Sequence, residues 1–226
     1  MIAIFDFDGV ILDSNGPKTR AFEQIARPYG ARAAAALVAY HVTHGGVNRE
    51  VKFRFLFEQI LGRQPETGEL DSMRVTFAAA ARAGLAAARE IAGVRVFIQR
   101  LTETGHTLAI VSGGVRDEVV DELARRRLST LFATVIGGDV PKSEGVRRVL
   151  GTAGGRAVLF GDSESDYRAT VENSIAFVFV YGCSEWSAGL EVLPSAVPRA
   201  RDFGDQVIDT LDLDCLPMGT ASDGTT

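Results

Sequence analysis

The chain has 226 residues, 46% of them hydrophobic and 23% charged, with 29 acidic against 24 basic side chains and a formal charge of −5. That is ordinary globular composition, at a length suited to one sizeable α/β domain or a core domain carrying a smaller insertion. The acidic balance supplies no basic field for nucleic acid, and no apolar run approaches the roughly 20 residues of a membrane span. A candidate active residue at position 6 leaves no room for a signal peptide, so a cytoplasmic protein with neither nucleic-acid nor membrane partners is expected. Cys183 and Cys215 lack metal-ligand spacing and are expected to be reduced. Only Lys18, Lys52 and Lys142 among the 24 basic residues are lysine, which raises the question of what each one does.

Ile2-Ala3-Ile4-Phe5 is a short apolar run, expected to be a buried parallel strand that leads into a loop. The loop opens with Asp6-Phe7-Asp8-Gly9-Val10. Two aspartates at i and i+2 on extended chain project to the same side. At the end of a strand they stand a few ångströms apart, an electrostatic cost that a divalent cation relieves. Taken alone, the pattern also describes a solvated acidic turn.

Residues 15–89 differ in kind. They are alanine-rich at 33–36, 78–81 and 86–88, show no convincing strand, and have helical segments broken at Gly30, at Gly45-Gly46 and near 65–68. The expectation is a small, all-helical second domain inserted after the first strand, above the carboxyl edge of the sheet. Its polar candidates for facing a ligand are Lys18, His41, His44, Asn48, Arg49 and Lys52, each of which also fits plain surface. On a helix Arg49 and Lys52 face the same way.

After a helical stretch at 94–104, the apolar run 107–111 leads into Ser112-Gly113-Gly114. A hydroxyl and exposed amides at a helix N-terminus bind phosphate, although the tripeptide is also an everyday turn. A helix is expected at 115–127 and a strand at 133–136, before Gly137-Gly138. Lys142 follows Pro141 and begins a helical stretch that includes 144–150; alone it reads as an ordinary surface lysine. A strand at 157–160 precedes Gly161-Asp162-Ser163-Glu164-Ser165-Asp166 and a helix at 165–173. Asp162 and Asp166 share one face of that helix start, and Asp162 alone also fits a helix N-cap. A last strand is expected at 175–180. Strand, glycine turn, helix, strand is the grammar of a doubly wound parallel α/β sheet, whose ligands bind beyond the carboxyl ends of the strands. Residues 1–14 and 90–213 form the core in this reading, 15–89 the helical insertion, and 214–226 a disordered tail.

Taken in order, the four clusters at Asp6, Ser112, Lys142 and Asp162 resemble the haloacid dehalogenase superfamily over residues 1–210, and the insertion is similar to that family's helical type 1 cap. The first and last motifs are the specific ones. The sequence departs from a common family form in placing Pro141 before Lys142 and Ser143 after it. The resemblance implies Asp6 as a nucleophile that forms an aspartyl-phosphate, and Asp8 as general acid and then general base. It implies Mg²⁺ held by the Asp6 carboxylate, the Asp8 carbonyl and Asp162. Ser112, Gly113 and Lys142 would hold phosphate, and Asp166 would position Lys142 or the outer shell of the metal. The expected function is a phosphatase acting on a small phosphorylated sugar or organic acid. Asp8 argues against dehalogenase and phosphonate chemistry, because an alkoxide leaving group needs an acid at that position. A sugar-phosphate mutase of the β-phosphoglucomutase type is the alternative, with Arg49 able to grip a second phosphate but Lys18 standing where such mutases carry His. A non-catalytic binding or regulatory module is the further alternative. Substrate identity and oligomeric state are not readable.

Overall fold

The computed structural model describes residues 1–153 and 155–219. Six parallel strands, β1 (Ile2–Phe5), β2 (Thr107–Val111), β3 (Thr134–Ile136), β4 (Ala157–Gly161), β5 (Ala176–Val180) and β6 (Arg199–Ala200), form one sheet in the order β3-β2-β1-β4-β5-β6. The first five match the apolar runs of the sequence to within one residue at each end. The two-residue edge strand β6 is an addition, too short to leave a period in the sequence.

All four residues of β1 are buried, as expected of a strand covered on both faces. Ala3 and Phe5 belong to the apolar layer on one side of the sheet, while Ile2 and Ile4 belong to the layer on the other. Phe5 stacks on Phe160 of β4 at 4.9 Å and meets Phe97, Phe132 and Phe203 at 6.0–6.3 Å. Burying an aromatic of this size is worth roughly 1.5–3 kcal/mol. The register Phe5↔Phe160 then brings the residues that follow each strand, Asp6 and Asp162, to one edge.

Helices α5 (Val94–Glu103), α6 (Arg116–Arg125), α7 (Lys142–Ala153) and α8 (Glu164–Asn173) link the strands, and α9 (Gly189–Val192) and α10 (Gln206–Thr210) are short later helices. Between β1 and β2 lie α1 (Asn15–Ala26), α2 (Ala31–Thr43), α3 (Arg49–Phe55) and α4 (Glu69–Ala87). These four pack around their own buried cluster, which includes Phe22, Leu37, Phe53, Phe57 and Phe77. We call this block the cap. It breaks where the glycines are: Gly30 precedes α2, a turn holds Gly45-Gly46, and Gly68 precedes α4. Among the described residues no helix is long and apolar enough to cross a membrane.

The expected disorder from 214 onward is corrected for residues up to 219. Leu216 is buried in the core, and Gly219 N–H donates to the Ile175 carbonyl at 2.8 Å. Leu216 is a single apolar residue in a polar stretch, and its burial is decided by the adjacent sheet edge. Residues 220–226 lie outside the described residues.

Candidate active site

Asp6 follows β1 and keeps its strand geometry for one more residue, donating its N–H to the Phe160 carbonyl at 2.9 Å. Its carboxylate is buried, with Oδ2 3.0 Å from Lys142 Nζ and Oδ1 lacking any hydrogen-bond partner. Asp6, Asp162 and Asp166 each offer an oxygen, all within 4.8 Å of one another, and all three side chains are buried. Burial, then the Asp166 carboxylate, pushes Asp6 up to about 7 against the pull of Lys142. Burial, then Asp6 and Asp166, also pushes Asp162 well above the ordinary carboxylate range. Carboxylates confined together out of water raise one another in this way, and a cation between them removes the cost.

The oxygens of this cluster are not equally available. Asp166 Oδ1 accepts from Lys142 Nζ at 2.5 Å, and its Oδ2 accepts from the Ser163 N–H at 3.0 Å and the Ser163 hydroxyl at 2.5 Å. Ser163 caps α8 and Asp166 completes the capping box, so Asp162, one residue earlier, is free of that duty. Asp162 Oδ2 accepts from Asn15 Nδ2 at 2.6 Å. The group with an unclaimed buried oxygen is Asp6. Asp6 and Asp162 therefore fit a hard divalent ion such as Mg²⁺ better than Asp166 does, and Asp166 holds Lys142 in place. The Pro141-Lys142 order does not displace the lysine, because Lys142 starts α7 and its Nζ still reaches both carboxylates.

Asp8 lines the same cavity but stands outside this cluster. Its Oδ1 accepts from the Ser14 hydroxyl at 2.6 Å and its Oδ2 pairs with Lys18 Nζ. Burial disfavours its charge, but the Lys18 ammonium and the two hydrogen bonds outweigh it, leaving Asp8 below the usual carboxylate value. Gly9 permits the tight turn that follows Asp8. It has φ +76°, and a Cβ there would come within 2.1 Å of Asp162 Oδ2.

Ser112 is buried just past β2, and its Oγ accepts the Gly114 N–H at 3.0 Å. Gly113 and Gly114 line the cavity above the aspartates. A Cβ on Gly113 would meet the Gly46 carbonyl at 2.1 Å, so the glycine turn of the cap rests on the glycine turn of the core. The cavity between them has a free volume of about 60 Å³, on the order of a few waters. That space suits only a small molecule.

The cap residues divide. Lys18 and Lys52 line the cavity, and Lys52 Nζ lies 2.7 Å from His41 Nδ1. Arg49 also borders it, but the guanidinium is paired with Glu118 of α6 at 3.1 Å and lies over the Phe77 ring, so a free grip on a second phosphate is not what it offers. Asn48 caps α3 by accepting the Glu50 N–H at 2.7 Å and donates to the Gly138 carbonyl. His44 is exposed and stacked on Tyr40 at 4.0 Å, so its candidacy is corrected: the helix end turns it outward. Sequence reasoning missed Ser14, Asn15, Glu118, Ser163 and Glu185. Ser14 and Asn15, polar residues directly after the aspartate loop, were the available signal for two of them. Glu185 lies beyond the last expected strand, with no local pattern to mark it.

The model of haloacid dehalogenase-like hydrolases matches residues 3–180. The chain belongs to this family. Solved structures share the fold of this haloacid dehalogenase-like hydrolase. A Bacteroides vulgatus protein provisionally described as a β-phosphoglucomutase superposes with TM-score 0.73 at 16% identity, covering 92% of this chain and 86% of that one. A Lactobacillus plantarum protein provisionally described as a phosphoglycolate phosphatase gives 0.70 at 17% identity, covering 94% and 98%. A Bacteroides fragilis protein provisionally described as a haloacid dehalogenase-like hydrolase gives 0.69 at 20% identity, covering 88% and 94%. At such identities the likeness is one of fold. A search of curated protein sequences finds no match.

Proposed function

We propose that this hydrolase is a Mg²⁺-dependent phosphatase of small phosphomonoesters that works through an aspartyl-phosphate on Asp6. The observation that carries the reading is the state of Asp6: buried, with one oxygen on Lys142 and the other unclaimed beside Asp162. Mg²⁺, held by the Asp6 and Asp162 carboxylates and the Asp8 main-chain carbonyl, would neutralise the charge between carboxylate and phosphate. Lys142 and the Gly113 amide draw in the phosphoryl oxygens. An Asp6 oxygen attacks phosphorus, the ester P–O bond breaks, and the departing alkoxide takes a proton from Asp8. Water then attacks the phosphorus, giving its proton to Asp8, and inorganic phosphate leaves as Asp6 regains its carboxylate. Asp8 rests ionised against Lys18, so entry of substrate must loosen that pair before Asp8 can donate.

Family neighbours include proteins described as phosphatases and as phosphoglucomutases. The Arg49–Glu118 pair weighs against the mutase reading, which asked Arg49 to bind a second phosphate. The test is phosphate release from a panel of phosphomonoesters. EDTA should abolish turnover and Mg²⁺ should restore it, and Asp6→Asn should release none. Full activity after exhaustive chelation would sink the assignment.

A further inference from the structure

The cations around the cavity are matched to carboxylates with one exception. Lys18 pairs with Asp8, Lys142 with Asp6 and Asp166, and Arg49 with Glu118. Lys52 is 1% exposed, and among the described residues it has no carboxylate partner. It lies 5.2 Å from the Phe22 ring centroid, and its polar neighbour is His41 Nδ1 at 2.7 Å.

With Lys52 in its ammonium form, that contact fixes the tautomer of His41. An ammonium has only donors, so Nδ1 must accept and the ring proton sits on Nε2. Nε2 is buried with no hydrogen-bond partner, and Glu185 Oε2, at 3.7 Å, is beyond reach. The other Glu185 oxygen accepts from the Thr19 hydroxyl at 2.6 Å. Lys52 and His41 therefore bring to one cavity wall a buried charge with no carboxylate partner and a buried N–H with no acceptor. Such groups are costly unless something completes them.

We propose that Lys52 and His41 form a receiving site in the cap for a second anionic group of the substrate, across the cavity from the phosphate at Asp6. The proposal deepens the phosphatase reading and rests on it for which end of the substrate faces the core. It favours phosphorylated acids over neutral phosphorylated sugars.

The experiment is calorimetric titration of the Asp6→Asn protein, in which chemistry is stopped, with and without Lys52→Met. The probes are phosphoglycolate, 2-hydroxyethyl phosphate (the same skeleton with the carboxylate replaced) and ethylene glycol bisphosphate. Phosphoglycolate should lose about 10- to 100-fold in affinity on Lys52→Met, the worth of a charge-assisted contact, while hydroxyethyl phosphate should change little. A comparable loss on the bisphosphate arm alone would keep the anion site and assign it a phosphate. Equal losses on the charged and neutral probes, or none on either charged probe, would overturn the proposal. Lys52→Gln repeats the comparison with a polar side chain, should the methionine variant fail to fold. Turnover of the panel by the wild type separates the two readings. Discrimination in binding without turnover leaves the receiving site standing and removes the phosphatase, and turnover without discrimination does the reverse.

Discussion

Lys52 shows how a single residue can be placed against its own stability. Burial, then the nearby Lys18 ammonium, pushes Lys52 down to about 7 from the ordinary 10.5. Between those two values the unfolded chain binds the proton and the folded protein does not, so stability rises with pH across the window. Below about 7 both states are protonated and the full penalty of the buried charge applies. Replacing such a group by an apolar side chain of similar volume removes the penalty. Lys52→Met should therefore stabilise the free protein near neutral pH, on the order of 1–4 kcal/mol. It should also flatten the rise of stability between neutral and alkaline pH. Urea unfolding of both proteins across that range checks this, and a variant less stable than wild type at neutral pH would contradict it.

At the scale of elements, the cap is held shut by specific contacts between α3 and the core. Arg49 meets Glu118 of α6 with side chains 19% and 17% exposed, and Asn48 reaches the carbonyl of Gly138. Arg49→Ala and Glu118→Ala remove the two halves of one contact. Each should weaken substrate capture by roughly three- to tenfold in kcat/KM, the scale of a partly shielded pair. The double variant should lose little more than either single one, and a full double-mutant cycle on kcat/KM measures the coupling. Additive losses would mean that the two side chains act separately. This bond was not legible in the sequence, and the reason is physical. The helical character of 49–55 and its capping by Asn48 are local, but the partner of Arg49 depends on how the cap is set down on α6, and no local pattern encodes that. The aspartate cluster was legible for the opposite reason. Asp6, Ser112 and Asp162 each follow directly on an apolar strand, so the parallel register of β1, β2 and β4 carries them to one edge without further information. The outward turn of His44 was no more legible than the partner of Arg49, because a side chain next to a glycine turn points wherever the turn sends it.

The whole molecule is acidic, yet its three lysines all lie at the site: Lys18 on Asp8, Lys52 on His41 and Lys142 on Asp6 and Asp166. Arginine serves as the cation elsewhere, including the exposed pairs of Arg27 with Glu23 and Arg168 with Glu164. A compact ammonium on a flexible stem can be buried among carboxylates and rings, and its charge responds to burial. Attraction for an anion is thus local, set inside the cavity rather than by the net charge. The aromatic cluster around Phe5 and Phe160 fixes Asp6 from below, and the cap turn at Gly45-Gly46 closes over it from above. The fold as a whole converges on one atom group, the Asp6 carboxylate. The most direct measurement is therefore acid quenching during turnover of p-nitrophenyl phosphate with Mg²⁺, followed by peptide mass spectrometry. A single phosphoryl group on Asp6, absent from Asp6→Asn, is the predicted result; steady turnover with no phosphorylated Asp6, or with the label on another residue, would contradict it.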